Sequence, residues 1–134
     1  MALPGGYVDP GDRDAEAAAQ RETREEVGLD LRAWGSRLGR LDDFVTRPEH
    51  PRHPLTISAF VYGGEESPLL QPNHEVAELL WVPLSDLQQP ERRGTLVLEW
   101  QGQSRVLPTF PLGSATVWGL TLRIIDDLLA RLQG

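Results

Sequence analysis

Apolar positions recur with two different periods along this chain. Near the start, Ala19, Thr23 and Val27 fall at helical spacing and make a modest apolar stripe. Ala15, Ala17, Ala18 and Ala19 favour a helix. Asp14 suits its N-cap, with Asp12 able to share that role, and Gly28 suits the left-handed position past its last turn. Residues 31–34 leave that helix. Residues 37–46 read as a strand whose apolar members are Leu38, Leu41 and Phe44. Residues 47–54 hold three prolines and read as a loop. Residues 55–62, LTISAFVY, are the clearest strand, with Leu55, Ile57, Ala59 and Val61 on one face. After Gly63-Gly64 and a loop, residues 76–82 read as another strand closed by Pro83, and Ser85 and Asp86 lie in a short helix or turn. Residues 95–100 and 104–110 predict a hairpin around Gln101-Gly102-Gln103. Ser114 is placed to cap a last helix over residues 115–132, with a buried stripe of Val117, Trp118, Thr121, Ile125, Leu128 and Leu132. Packing is the expected fate of Trp100, Phe110 and Trp118, with the border of a binding cleft as the alternative.

Composition narrows the classes. A length of 134 residues with 40% hydrophobic content fits one domain with a real core, taken here as residues 1–134. Twenty acidic residues against 13 basic ones leave a net charge of −7, which argues against a nucleic-acid backbone binder. The chain has no Cys, so a disulfide scaffold and a thiol nucleophile are both excluded. No signal peptide and no long apolar run is present, and the expectation is a soluble, cytoplasmic protein away from membranes.

The chemistry gathers in residues 3–29. Glu22, Glu25 and Glu26 share one narrow helix face, because residues three and four apart are neighbours. Like charges so placed repel, whereas a cation bound among them reverses the sign. Carboxylate oxygens are the ligands a hard divalent ion such as Mg²⁺ prefers. The same residues, with Arg24 interleaved, also fit an ordinary solvated face. Upstream, Gly5 and Gly6 allow a phosphate or a metal to approach the main chain. His50 and His53 are metal or phosphate candidates, against a simpler role as loop residues.

Taken as one string, Gly6, Asp12, Arg21-Glu22, Glu25-Glu26 and Gly28-Leu29 resemble the Nudix box. The resemblance implies that Glu22, Glu25 and Glu26 hold divalent metal, Mg²⁺ or Mn²⁺, with Gly6 bordering it. It implies that Arg21 orients Glu22 and that Gly5 and Gly6 border the substrate. Two departures stand out. The spacing from Asp12 to Arg21 is one residue longer than is common, and Thr23 replaces an aliphatic residue. The longer spacing, with GGYVDPGDRD and the later VWGLTLRI, is similar to the coenzyme A diphosphatase branch of that family.

The stretch PNHEVAELLWVPLSDL resembles the family's later segment, where an acid helps bind metal or water. Glu75 is the first candidate and Glu78 the reserve, and either also fits a solvent-facing strand edge. The implied base is Glu22 or Glu75. The implied fold is an α/β/α sandwich with a mixed β-sheet, here apparently lacking the usual N-terminal strands. A sheet edge left open in that way predicts a homodimer or strand exchange. The implied activity is metal-dependent hydrolysis of a nucleoside diphosphate linked to another moiety, coenzyme A-like in the first instance. A nucleotide sugar, ADP-ribose or a dinucleoside polyphosphate is the alternative substrate. A catalytically silent nucleotide- or partner-binding module is the alternative from another class.

Overall fold

The computed structural model describes residues 1–45 and 55–134. They form a mixed α/β structure in which every strand pairing is antiparallel. Two compact units divide the chain: Pro4–Leu79, and Leu80–Gly134 together with Met1–Leu3. Among the described residues no helix is long and apolar enough to cross a membrane. His50 and His53 lie outside the described residues.

The first unit is built on helix α1 (Ala15–Val27). The Asp14 side chain accepts from the Ala17 N–H at 2.8 Å, as its position predicted. Gly28 ends the helix at φ 72°, and its N–H donates to the Arg24 carbonyl. The buried stripe is Ala18, Thr23 and Val27, so Ala18 takes the place expected of Ala19. The Thr23 hydroxyl donates to the Ala19 carbonyl at 2.7 Å, which is how a polar residue occupies a buried helical position without an orphaned group. A one-turn helix, α2 (Leu31–Trp34), follows, capped by the Asp30 side chain.

Two short ladders complete this unit. Strand β1 (Ser36–Arg40) pairs with β4 (Phe60–Gly63), and β2 (Phe44–Val45) pairs with β3 (Thr56–Ile57). The sequence predicted two longer strands, each of which breaks into two. The break in the second lies at Ser58, whose hydroxyl donates to Asp43 at 2.8 Å and accepts from Arg40 at 3.1 Å. These bonds pull residue 58 out of the ladder, and the chain changes partner strand there. Leu38, one of the apolar members read in the first strand, is the extra residue of a bulge between Arg37 and Gly39 and is 69% exposed.

Residues 76–82 form no strand, contrary to the apolar pattern. The Asn73 side chain accepts from the Glu75 N–H at 2.9 Å, and the Asn73 carbonyl accepts from the Val76 N–H. The chain is thereby committed to a turn where the strand would begin.

The second unit holds a three-stranded sheet, β5 (Gly94–Trp100), β6 (Gln103–Leu112) and β7 (Ala115–Trp118), in that order. The hairpin β5–β6 turns at Gln101 (φ 51°) and Gly102 (φ 74°), the two positive φ values a tight two-residue turn requires. Helix α4 (Gly119–Gln133) begins four residues later than predicted, because Ala115 to Trp118 turn back at Gly113 and pair with β6. Their β-branched and aromatic side chains suit a strand. Ser114 therefore caps nothing, and the Trp118 position heads the helix without a side-chain cap. The buried residues of α4 are Leu122 and Leu129, and Leu132 is 56% exposed, so the stripe is rotated from the one expected. Leu87 from α3 (Leu84–Leu87), Phe110, Leu112, Val117, Leu122 and Leu129 make the core, with Val82 and Ile125 packed against it. Phe110 is 1% exposed and carries the packing role expected of it, whereas Trp100 stays exposed.

Candidate active site

The candidate residues all belong to the first unit, on α1, the loop before it and the turn at residues 71–75. Asp9 and Asp12 fold that loop into a closed turn. The Asp12 N–H donates to the Asp9 carbonyl at 2.9 Å, and the Asp9 N–H donates to Asp12 Oδ2 at 2.8 Å. Arg21, projecting from α1, is wrapped by the turn. Its Nε and Nη2 meet the two oxygens of Asp12 at 3.0 and 2.9 Å, a parallel fork that a planar guanidinium suits. Its Nη2 also donates to the Tyr7 carbonyl at 3.1 Å and lies 3.4 Å from Asp9. Its Nη1 meets Glu22 Oε1 at 3.0 Å and Glu25 Oε2 at 3.2 Å. Asp12, only 7% exposed at its side chain, is held below its ordinary pKa, first by Arg21 and then by the Asp9 N–H. The Arg21 pKa is raised in return, by Asp12 and then Glu22.

Glu22 is held from two sides. Arg21 grips its Oε1, and the bare Cα of Gly6 lets the carboxyl lie close: a Cβ there would sit 2.5 Å from Glu22 Cδ. Glu26 lies one turn along the same helix face, close enough for the negative charge of Glu22 to act on it. Burial pushes the Glu26 carboxyl above its ordinary pKa. The Gly5 N–H draws it partly back, and the negative charges of Glu22 and Glu75 raise it further. Glu25 is exposed and turned onto Arg21 rather than onto the Glu22–Glu26 pair. Glu75 and Glu78 are both exposed, and Glu75 acts on Glu26 through its charge.

The geometry thus brings together Gly5, Gly6, Arg21, Glu22 and Glu26, with Glu75 near and Glu25 one step round the helix. Among the described residues, no three acidic or histidine side chains already converge in metal-holding geometry. The donors nonetheless fit a hard divalent cation. They are carboxylate oxygens, two of the carboxyls lie one turn apart on one helix face, and the cradle at Gly6 is one that a Cβ would fill.

Sequence reasoning missed two supports. Asn73 builds the turn that carries Glu75, and an Asn two residues before the acid was the available signal. Tyr62 of β4 braces α1 elsewhere: its hydroxyl accepts from Gln20 at 2.7 Å and donates to Glu16 at 2.5 Å, and Arg37 Nε lies 3.2 Å from the same Glu16 oxygen. Nothing local in the sequence marks that pairing.

The family model for the NUDIX domain matches residues 1–100. The human mitochondrial coenzyme A diphosphatase NUDT8 is 35% identical over 136 residues, covering 96% of this chain and 54% of its own length. Its mouse counterpart is 34% identical over 139 residues, covering 98% and 61%. Nudix hydrolase 15, mitochondrial, of Arabidopsis thaliana is 28% identical over 135 residues, covering 93% and 44%. The chain therefore spans about half the length of the curated relatives it matches. The matched region contains the whole carboxylate cluster of α1 and the Glu75 turn, and on that match the chain belongs to the Nudix family.

Proposed function

We propose that this chain hydrolyses the diphosphate linkage of a nucleoside diphosphate joined to another moiety, using Mg²⁺ or Mn²⁺, with a coenzyme A-type compound as the first substrate class. The observation that carries this reading is the Glu22 carboxyl lodged against the bare Cα of Gly6, with Glu26 one turn along the same helix face. Such a pair is unfavourable alone and becomes favourable around a cation. The printed names of the human and mouse relatives support the substrate class.

When bound, a divalent ion offsets the charge of the diphosphate and lowers the pKa of a bound water. Glu22 and Glu26 are the residues to hold it, and Glu25 would join them by turning from Arg21. Arg21 fixes the rotamer of Glu22 and tethers the Asp9–Asp12 turn beside it. Gly5 and Gly6 leave the main chain open to the diphosphate. Proton acceptance falls to Glu22 or Glu75, whose carboxylates are the bases at hand.

The test is incubation with Mg²⁺ and a panel of coenzyme A, ADP-ribose, a nucleotide sugar, a dinucleoside polyphosphate and nucleoside triphosphates. Cleavage of coenzyme A between its two phosphates, lost in Glu26→Gln, is the expected result. Cleavage of another panel member alone would reassign the substrate. A folded protein that cleaves none of them and takes up no Mg²⁺ would overturn the enzymatic reading.

A further inference from the structure

The turn at residues 71–75 is fastened to the end of α1. The Gln71 N–H donates to the Val27 carbonyl and the Asn73 N–H to the Glu26 carbonyl, both at 2.8 Å. These carbonyls belong to the last turn of the helix, where no intrahelical donor is available. Gly28 makes the approach possible: a Cβ there would lie 3.2 Å from Gln71 Cβ. Asn73 then uses its side chain in the other direction. Its Oδ1 accepts from the Glu75 N–H at 2.9 Å, and its carbonyl accepts from the Val76 N–H at 3.2 Å. Asn73 is therefore bonded at once to the backbone of Glu26 and to the backbone of Glu75.

We propose that Asn73 is the positioning residue for Glu75, clamping its turn to α1 by one hydrogen bond and setting its place beside Glu26 by another. The inference rests on the reading of Glu22, Glu25 and Glu26 as the cation-holding set, with Glu75 the further acid that helps bind metal or water beside it. The clamp to α1 uses the Asn73 backbone N–H, and the bond to Glu75 requires the Asn side chain. Glu75 is exposed, and its backbone N–H donates to Asn73 Oδ1, so without that acceptor the turn keeps only the bond from the Val76 N–H to the Asn73 carbonyl. Ala supplies no acceptor. Ser supplies a hydroxyl that makes the same kind of turn more weakly.

Mn²⁺ binding to the full chain tests this, followed by titration of free Mn²⁺, with thermal melting recorded for each variant. Glu75→Gln and Asn73→Ala are each expected to weaken Mn²⁺ binding by about tenfold or more, the range for partners that orient a ligand. The double variant is expected to bind no more than about twofold more weakly than Glu75→Gln alone, because both changes remove one contribution. Asn73→Ser is expected to recover part of the loss, and it carries the comparison if Asn73→Ala melts too low to titrate.

Losses that multiply in the double variant would overturn the proposal, since Asn73 would then act independently of Glu75. So would unchanged affinity in Asn73→Ala while Glu75→Gln is impaired. If Glu75→Gln binds normally while Glu26→Gln does not, Glu75 lies outside the set and the proposal fails with the functional reading intact. If neither change affects Mn²⁺, the functional reading itself fails.

Discussion

The carboxyl of Glu22 lies against the Cα of Gly6, so closely that a Cβ on residue 6 would sit 2.5 Å from Glu22 Cδ. Gly6 is not among the residues with positive φ, so Ala at this position introduces no left-handed strain. The added methyl acts only by displacing the carboxyl. Gly6→Ala is expected to lower activity and Mg²⁺ affinity by about tenfold or more, as misplacing a ligand does, while the melting temperature stays near that of the parent. Assays of both on one preparation check this. A large fall in melting temperature would instead give residue 6 a backbone role.

The Arg21–Asp12 fork makes a pH-dependent contribution whose sign follows from Asp12. Its folded pKa lies below the ordinary 3.8, chiefly because of Arg21. The stability from the pair is thus present above pH 3.8 and lost as pH falls through the lower folded value. Asp12→Asn is expected to be less stable than the parent at pH 5, with a flatter acid limb below pH 3.8. Asp43, lowered by Arg40 and Ser58, keeps its own contribution in both proteins. Denaturant melts at several pH values measure the difference, and identical acid limbs would show the pair to be inconsequential.

Arg21 also serves as a fork rather than a charge. Lys at this position keeps the charge but cannot meet both oxygens of Asp12 while holding Glu22. Arg21→Lys is expected to lose roughly tenfold to a hundredfold in activity. Steady-state kinetics should place most of the loss in kcat, because the displaced group is the rotamer of Glu22.

These residues divide by how far their partners lie along the chain. Asp14 and Gly28 were legible because caps act within a few residues, and the structure places both where the sequence predicts. Arg21, Glu22 and Glu26 were legible because their spacing is itself the signal. The break at Ser58 was not, since it depends on Asp43 and Arg40 from another strand. The strand at Ala115 to Trp118 was hidden because four residues fit a helical stripe as well as a strand, and only pairing with β6 decides. The missing strand at residues 76–82 has the same origin in reverse. Its apolar run is real, and the Asn73 turn overrides it.

Tyr62 offers a check on the brace that holds α1. Its hydroxyl accepts from Gln20 and donates to Glu16. Tyr62→Phe removes both bonds and leaves the ring in place. The expected cost is about 1–3 kcal/mol, the range for leaving part-buried polar partners unpaired. Equilibrium unfolding in urea measures it. A cost near zero would mean that water replaces the hydroxyl and that the brace is apolar.

The Glu22–Glu26 pair makes opposite demands on stability and on function. Folding holds the Glu26 carboxyl partly buried beside other negative charges, which raises its pKa above the ordinary 4.5. A raised carboxyl pKa means that the native state binds the proton more tightly, so this group opposes folding as pH rises through the window above 4.5. At neutral pH without metal, Glu26→Gln should therefore be more stable than the parent, by about 0.2–0.5 kcal/mol for a relieved like-charge pair one turn apart. Gln keeps an oxygen to accept from the Gly5 N–H, so the loop contact is not the variable. Adding Mg²⁺ should reverse the order, because a ligand that binds only the folded state stabilises it in proportion to its affinity. Melts with chelator and with millimolar Mg²⁺, run on both proteins, contain the whole test. If the parent is the more stable in chelator, the two carboxyls are not in conflict and the case for a cation between them is lost.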